Sequence, residues 1–145
     1  MAATAKGKFI PTNPQKYIGK QPITYRSGWE LQFMRVLDLH PNVVGWSSES
    51  ITIPYRNPLT GQMTVYVPDF LVVYLDRDGG KHCEMIEVKP LKETPGYTGK
   101  VPMRTKLVQA INLAKWQAAA AYCAKRNWRF RVATEAEMFA HKRKS

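Results

Sequence analysis

The sequence predicts an α/β domain with a mixed central β-sheet flanked by helices. Three observations lead there. Helical periodicity opens at Ser27; short alternating strands separated by turn residues follow; and a long helical stretch at residues 104–126 lies between two further strands. A helix placed between neighbouring strands calls for a right-handed crossover, which sets a parallel pair beside antiparallel ones.

The elements follow in order. Residues 1–22 carry Pro11, Pro14, Pro22 and several lysines without a sustained apolar period, and read as a basic, extended, partly ordered arm. Residues 23–141 read as one domain and 142–145 as a basic tail. Ser27 suits a helix N-cap, and Glu30 three residues later has capping-box spacing. Trp29, Phe33, Val36 and Leu37 then recur at helical spacing until Pro41 forces a stop near His40. Val43, Val44 and Trp46 read as a short buried connector.

Ser50 to Tyr55 alternates as a strand, Asn57 to Gly61 is a turn, and Met63 to Val67 alternates again. Pro68-Asp69 leads into Phe70 to Tyr74, a strand apolar enough to be buried on both faces. Asp76 to Gly80 is a hairpin turn, and His82 to Lys89 the returning strand, so the strands up to Lys89 read as a meander. Residues 92–102, with Pro95, Gly96, Gly99 and Pro102, form a loop long enough to be functional. In the long helix Leu107, Ala110, Ile111, Ala114 and Ala118 share a face, with Ala119, Ala120, Ala121 and Tyr122 extending it, and Asn127 can close the helix in the left-handed region. Trp128 to Val132 is a last strand, and Thr134 caps a final helix, Glu135 to His141.

Charge narrows the function. The net charge is +11, and it is uneven: +2 over residues 1–80 and +9 over residues 81–145. A basic intracellular domain of this kind expects a polyanionic partner, nucleic acid first among them. No run of about 18 apolar residues suggests a membrane span, and Met1 to Lys8 lacks the apolar stretch of a secretory leader. Cys83 and Cys123 then read as reduced thiols. No Gly-x-Ser-x-Gly turn or phosphate-cradling glycine loop is present, which argues against a serine triad and NTP hydrolysis. His82-Cys83-Glu84 does not make a zinc site, because neighbours on a strand face opposite sides.

The chemistry concentrates on Asp69, Glu87 and Lys89. Glu87 and Lys89 are two apart on one strand, so their side chains point the same way. Asp69 opens the strand across the hairpin. Two close carboxylates repel unless a cation lies between them, and oxygen ligands suit Mg²⁺, with Mn²⁺ able to substitute. The Val88 backbone carbonyl is a further candidate ligand. Lys89 can position or deprotonate an attacking water, or hold a phosphate. Glu30 can join the metal shell, although a capping-box bond to Ser27 would also explain it. Glu49 reads equally as a metal-shell residue or a structural hydrogen-bonding one. Tyr25 and Arg26 can meet a phosphate backbone or anchor the helix start. Lys92, Lys100, Arg104 and Lys106 read as DNA contacts.

This pattern resembles the PD-(D/E)xK nuclease superfamily: a helix carrying Glu30, then Pro68-Asp69 on one strand and Glu87-Val88-Lys89 on the next. It is similar in finer detail to the head-completion nucleases of tailed phages and to TnsA-type endonuclease N-terminal domains. The matching stretches are Ile23 to Glu30, Trp46 to Glu49, Ile53 to Tyr55, Tyr66 to Asp69, Ile86 to Pro90 and Phe130 to Glu135. The resemblance implies a restriction-endonuclease-like core and Mg²⁺-dependent DNA cleavage. It also implies a role in phage head completion after DNA packaging, with portal or head components as partners. The place of action would be the host cytoplasm during assembly, or the virion. In this superfamily the helix after the Glu-x-Lys strand often supplies a polar side chain, here Lys115 or Gln117. Two alternatives stay open: a non-catalytic DNA- or portal-binding head-completion protein, and a junction-resolving nuclease. A homodimer is a further option, since small nucleases often dimerise to cut both strands.

Overall fold

The computed structural model describes residues 6–135. The chain divides into two units, Met1–Ser50 with Pro68–Ile86, and Ile51–Val67 with Glu87–Ser145.

In the first unit, helix α1 (Gly28–Leu39) starts as its sequence dictates: Ser27 Oγ accepts the Glu30 backbone N–H at 3.1 Å. It ends at the C-cap His40, ahead of Pro41, without a glycine to satisfy its last carbonyls. The N-terminal segment does that work. Lys16 Nζ donates to the carbonyls of Asp38 (3.0 Å) and His40 (2.7 Å), and Asn13 Nδ2 donates to the Asp38 carbonyl (2.8 Å). The buried Asp38 carboxylate in turn accepts the backbone N–H groups of Thr12 and Asn13. Strand β1 (Gly7–Phe9) pairs antiparallel with β2 (Ile23–Tyr25). A Cβ on Gly7 would lie 2.5 Å from the Tyr25 hydroxyl, so glycine is what lets the tyrosine cross there. Within the segment read as an extended, partly ordered arm, residues 7–16 carry β1 and a short 3-10 turn, and the anchors are long-range polar contacts that carry no local pattern.

The main sheet has the strand order β3-β6-β7-β8, from β3 (Val43–Ser48), β6 (Phe70–Leu75), β7 (Lys81–Val88) and β8 (Arg129–Ala133). Its first two pairs are antiparallel, and β8 follows β7 only after the long helix, giving a mixed sheet. The stretch read as a connector is strand β3, running from Val43 opposite Tyr74 to Ser48 opposite Phe70. Gly45, Trp46 and Ser47 are all buried in succession, which erases the alternation that marks a strand. Strand β6 is buried on one face, through Phe70 and Val72, rather than both. Trp46 is fully buried amid Phe9, Tyr17 and Phe70, and Phe70 stacks on Phe33 at 5.3 Å. These aromatic contacts build the core of this unit.

In the second unit, β4 (Ile53–Arg56) and β5 (Met63–Tyr66) form their own two-stranded sheet, in place of continuing a meander. Gly61, at φ +73°, closes the turn between them. Helix α2 (Met103–Lys125) packs on β4 and β8. Its buried positions are Asn112, Ala119 and Cys123, while Leu107 is 41% exposed. Leu107 is thus corrected as a core position, while Ala119, read as extending that face, is fully buried. Alanines spread all round this helix blur its amphipathic signal, and small side chains at Ala119 and Cys123 permit close approach. Asn127 closes the helix at φ +60°, with the Trp128 N–H on the Cys123 carbonyl. Gln109 and Asn112 donate to the carbonyls of Lys92 and Glu93, pinning the start of the loop to α2. The expected helix Glu135–His141 lies, from 136 on, outside the described residues. Among the described residues no helix is long and apolar enough to cross a membrane.

Candidate active site

In the second unit, the chemistry gathers where β7 ends. Glu87 is only 5% exposed. A carboxylate so buried needs donors, and two are close. The Tyr66 hydroxyl donates to Glu87 Oε1 at 2.8 Å, and Lys89 Nζ lies 3.6 Å from Oε2. The two-residue spacing thus brings Glu87 and Lys89 together, as strand periodicity requires. The Lys89 backbone N–H donates to the Ala133 carbonyl, fixing the chain just past the strand. From α2, Lys115 Nζ stands 5.5 Å from the centroid of the Tyr66 ring. Gln117 is exposed.

Tyr66 was not among the expected site residues. The available signal was its place two residues before Pro68, together with the rule that a buried tyrosine hydroxyl finds a partner.

In the first unit, Asp69 sits half-buried immediately before β6. Its carbonyl accepts the Glu49 N–H at 2.9 Å. Glu49 has φ +50°, a strained conformation for a residue with a side chain. Its Oε2 pairs with Arg26 Nη1 at 2.8 Å. The Arg26 backbone N–H donates to Glu30 Oε1 at 3.1 Å, and Ser27 Oγ lies 3.5 Å from Glu30 Oε2. Ser27 caps the helix through the Glu30 N–H, while the Glu30 carboxylate reaches past the cap to the Arg26 N–H and joins a chain of contacts that runs Glu30–Arg26–Glu49–Asp69. The Arg26 side chain is 67% exposed, and Tyr25 is half-buried beside Gly7.

The other expected residues lie apart from these clusters. Lys92, Lys100, Arg104 and Lys106 are exposed along the loop and the first turns of α2. His82 Nε2 meets Asp76 Oδ2 at 2.7 Å and its ring stacks on Tyr74. The bond from His82, then that from the Gly80 N–H, hold the Asp76 carboxyl below its ordinary pKa. Burial, and then the neighbouring Glu84, push the Cys83 thiol up. Among the described residues no three His, Cys, Asp or Glu side chains form a group that could hold a metal ion.

Sequence comparison adds identity to this geometry. Residues 40–135 match the family described as TnsA-like endonuclease N terminal. That span includes Asp69, Glu87 and Lys89, and begins after Glu30. The head completion nuclease of Enterobacteria phage T4 is 34% identical over 139 residues, covering 89% of this chain and 90% of that protein. The chain belongs to the TnsA-like endonuclease N-terminal family.

Proposed function

We propose that this protein is a Mg²⁺-dependent DNA endonuclease of the PD-(D/E)xK type, acting in phage head completion after DNA packaging. The observation that carries the reading is the buried Glu87 carboxylate with the Lys89 ammonium 3.6 Å from it, at one strand end. The phage role rests on the name of the 34% identical relative.

The donor chemistry fits a hard divalent cation. Glu87 and the Val88 carbonyl offer oxygen at the end of β7, Asp69 is the second carboxylate we assign to the metal, and Mg²⁺ takes few protein ligands because it keeps several waters. Mn²⁺ accepts the same ligands. Glu30 contributes directly or through water, and Glu49 and Gln117 act from outside the metal's own ligands. Bound there, Mg²⁺ neutralises charge on the scissile phosphate and acidifies water.

The chain's own residues do the rest. Hydrolysis joins a water oxygen to phosphorus and breaks the bond from phosphorus to the leaving sugar oxygen. The water gives up a proton, and the leaving oxygen gains one. Lys89 holds the attacking water or the phosphate beside it. Lys92, Lys100, Arg104 and Lys106, with Tyr25 and Arg26, grip the DNA backbone without reading sequence. Residues 23–141 serve as the nuclease domain. Portal or head components, and a second copy for double-strand cutting, complete the proposed set of partners.

The test is nicking of supercoiled plasmid with Mg²⁺. Asp69→Ala and Lys89→Ala should each abolish cleavage while DNA affinity and the folded circular-dichroism spectrum persist. Undiminished cutting by both variants refutes the proposal.

A further inference from the structure

We infer that Tyr66 is a positioning residue for Glu87, and that Lys115 acts through it. The inference rests on the proposed metal-binding role of Glu87. Tyr66 is 4% exposed and ends β5, opposite Ile53. Its hydroxyl reaches Glu87 Oε1 at 2.8 Å across 21 residues of sequence. A glutamate side chain has three torsions, the last of them broad. Left to itself it presents its two oxygens interchangeably. A bond from an aromatic group with two torsions, packed in the core, removes that freedom. Oε1 is taken by the phenol, and Oε2 is the oxygen turned to Lys89. The two carboxylate oxygens are therefore unequal before any cation arrives.

The ring is held in turn. Lys115 Nζ, 5.5 Å from the Tyr66 centroid, is within range of a cation–π contact. Helix α2 thus reaches the carboxylate through the tyrosine ring. This also gives the β4–β5 hairpin a purpose: it carries the hydroxyl that orients Glu87. Outer partners of this kind typically contribute 10–100-fold to metal affinity or activity.

The experiment is Mn²⁺ titration of the full chain by calorimetry without DNA, alongside plasmid nicking at saturating Mn²⁺. Tyr66→Phe should weaken Mn²⁺ binding about 10–100-fold. Tyr55→Phe, the same deletion on the neighbouring strand, should leave it unchanged. Lys115→Met should lower affinity several-fold alone and add little to Tyr66→Phe. Wild-type Mn²⁺ affinity in Tyr66→Phe overturns the inference, as does an equal loss in Tyr55→Phe. Should Tyr66→Phe unfold, unchanged affinity in Lys115→Met overturns it instead. Glu87→Gln separates the two readings. If it loses Mn²⁺ binding while Tyr66→Phe keeps it, only the positioning role fails. If wild type binds no Mn²⁺, or Glu87→Gln binds it normally, the metal reading fails and the positioning role with it.

Discussion

Replacing Asp38 by alanine pits two effects of opposite sign against each other. Asp38 lies in the last turn of α1, where a negative charge opposes the helix dipole by about 0.3–1 kcal/mol. Alanine is also the better helix former, by up to about 0.7 kcal/mol. Helix arguments alone therefore predict that Asp38→Ala stabilises. Against this stand the Thr12 N–H at 2.7 Å and the Asn13 N–H at 3.0 Å, both bonded to the carboxylate. Hydrogen bonds to a charged group contribute roughly 1.5–3 kcal/mol each, so about 3–6 kcal/mol is lost. Water reaching the exposed Thr12 recovers part of it. The net expectation is a loss of about 2–4 kcal/mol, and the anchoring bonds win. With a urea slope of roughly 1–3 kcal/mol per M, the unfolding midpoint should fall by on the order of 1–2 M at unchanged slope. Asp38→Asn keeps one acceptor oxygen and should fall between. Faster amide exchange at Thr12 and Asn13 would report the release directly. An unchanged or higher midpoint for Asp38→Ala refutes the reasoning.

Three further expectations concern the site and its surroundings. Glu30→Gln keeps an acceptor for the Arg26 N–H, whereas Glu30→Ala loses it and costs about 0.5–1.5 kcal/mol of stability; both should lose Mg²⁺-dependent cleavage, and full activity in Glu30→Gln would reduce Glu30 to a structural acceptor. Removing Lys100, Arg104 and Lys106 together should lower the slope of log affinity against log salt by roughly 2–3 with little change in cutting at saturating DNA; an unaltered slope would take these residues out of the interface. Because the folded Asp76 carboxyl titrates below 3.8, its stabilising bonds to His82 and Gly80 are present above that value and are lost as pH falls through the lower folded one. The urea midpoints of wild type and Asp76→Asn should therefore differ near neutral pH and converge in acid, and a gap constant with pH would exclude the linkage.

What could be read from the sequence follows how local its cause is. Helix α1 was legible because Ser27, Glu30 and Pro41 act within a few residues of its ends. Glu87 and Lys89 were legible because strand period alone brings them together. Strand β3 was not, since Gly45, Trp46 and Ser47 are all buried and leave no alternation to read. The anchoring of the N-terminal segment was not legible because its anchor, Asp38, lies 26 residues from Thr12. Tyr66 escaped for the same reason: its bond to Glu87 exists only once the β4–β5 hairpin has formed.

Glu49 shows why distance in sequence and importance at a site can coincide. A residue with a side chain at φ +50° carries strain on the order of 1–3 kcal/mol, which glycine at the same position would escape. Glycine would keep the N–H that meets the Asp69 carbonyl, but it would lose the carboxylate that meets Arg26. The strain is therefore held in place by two contacts that only an acidic residue makes at once. One reaches the backbone of a candidate metal ligand. The other reaches a residue whose own N–H holds Glu30. In the second unit, taken by itself, Glu87 is likewise held by the Tyr66 hydroxyl beside the Lys89 ammonium. Burial alone would leave these carboxylates costly and free to rotate. The Arg26 N–H holds Glu30 and the Glu49 N–H meets the backbone of Asp69 in the first unit, and the Tyr66 hydroxyl holds Glu87 in the second.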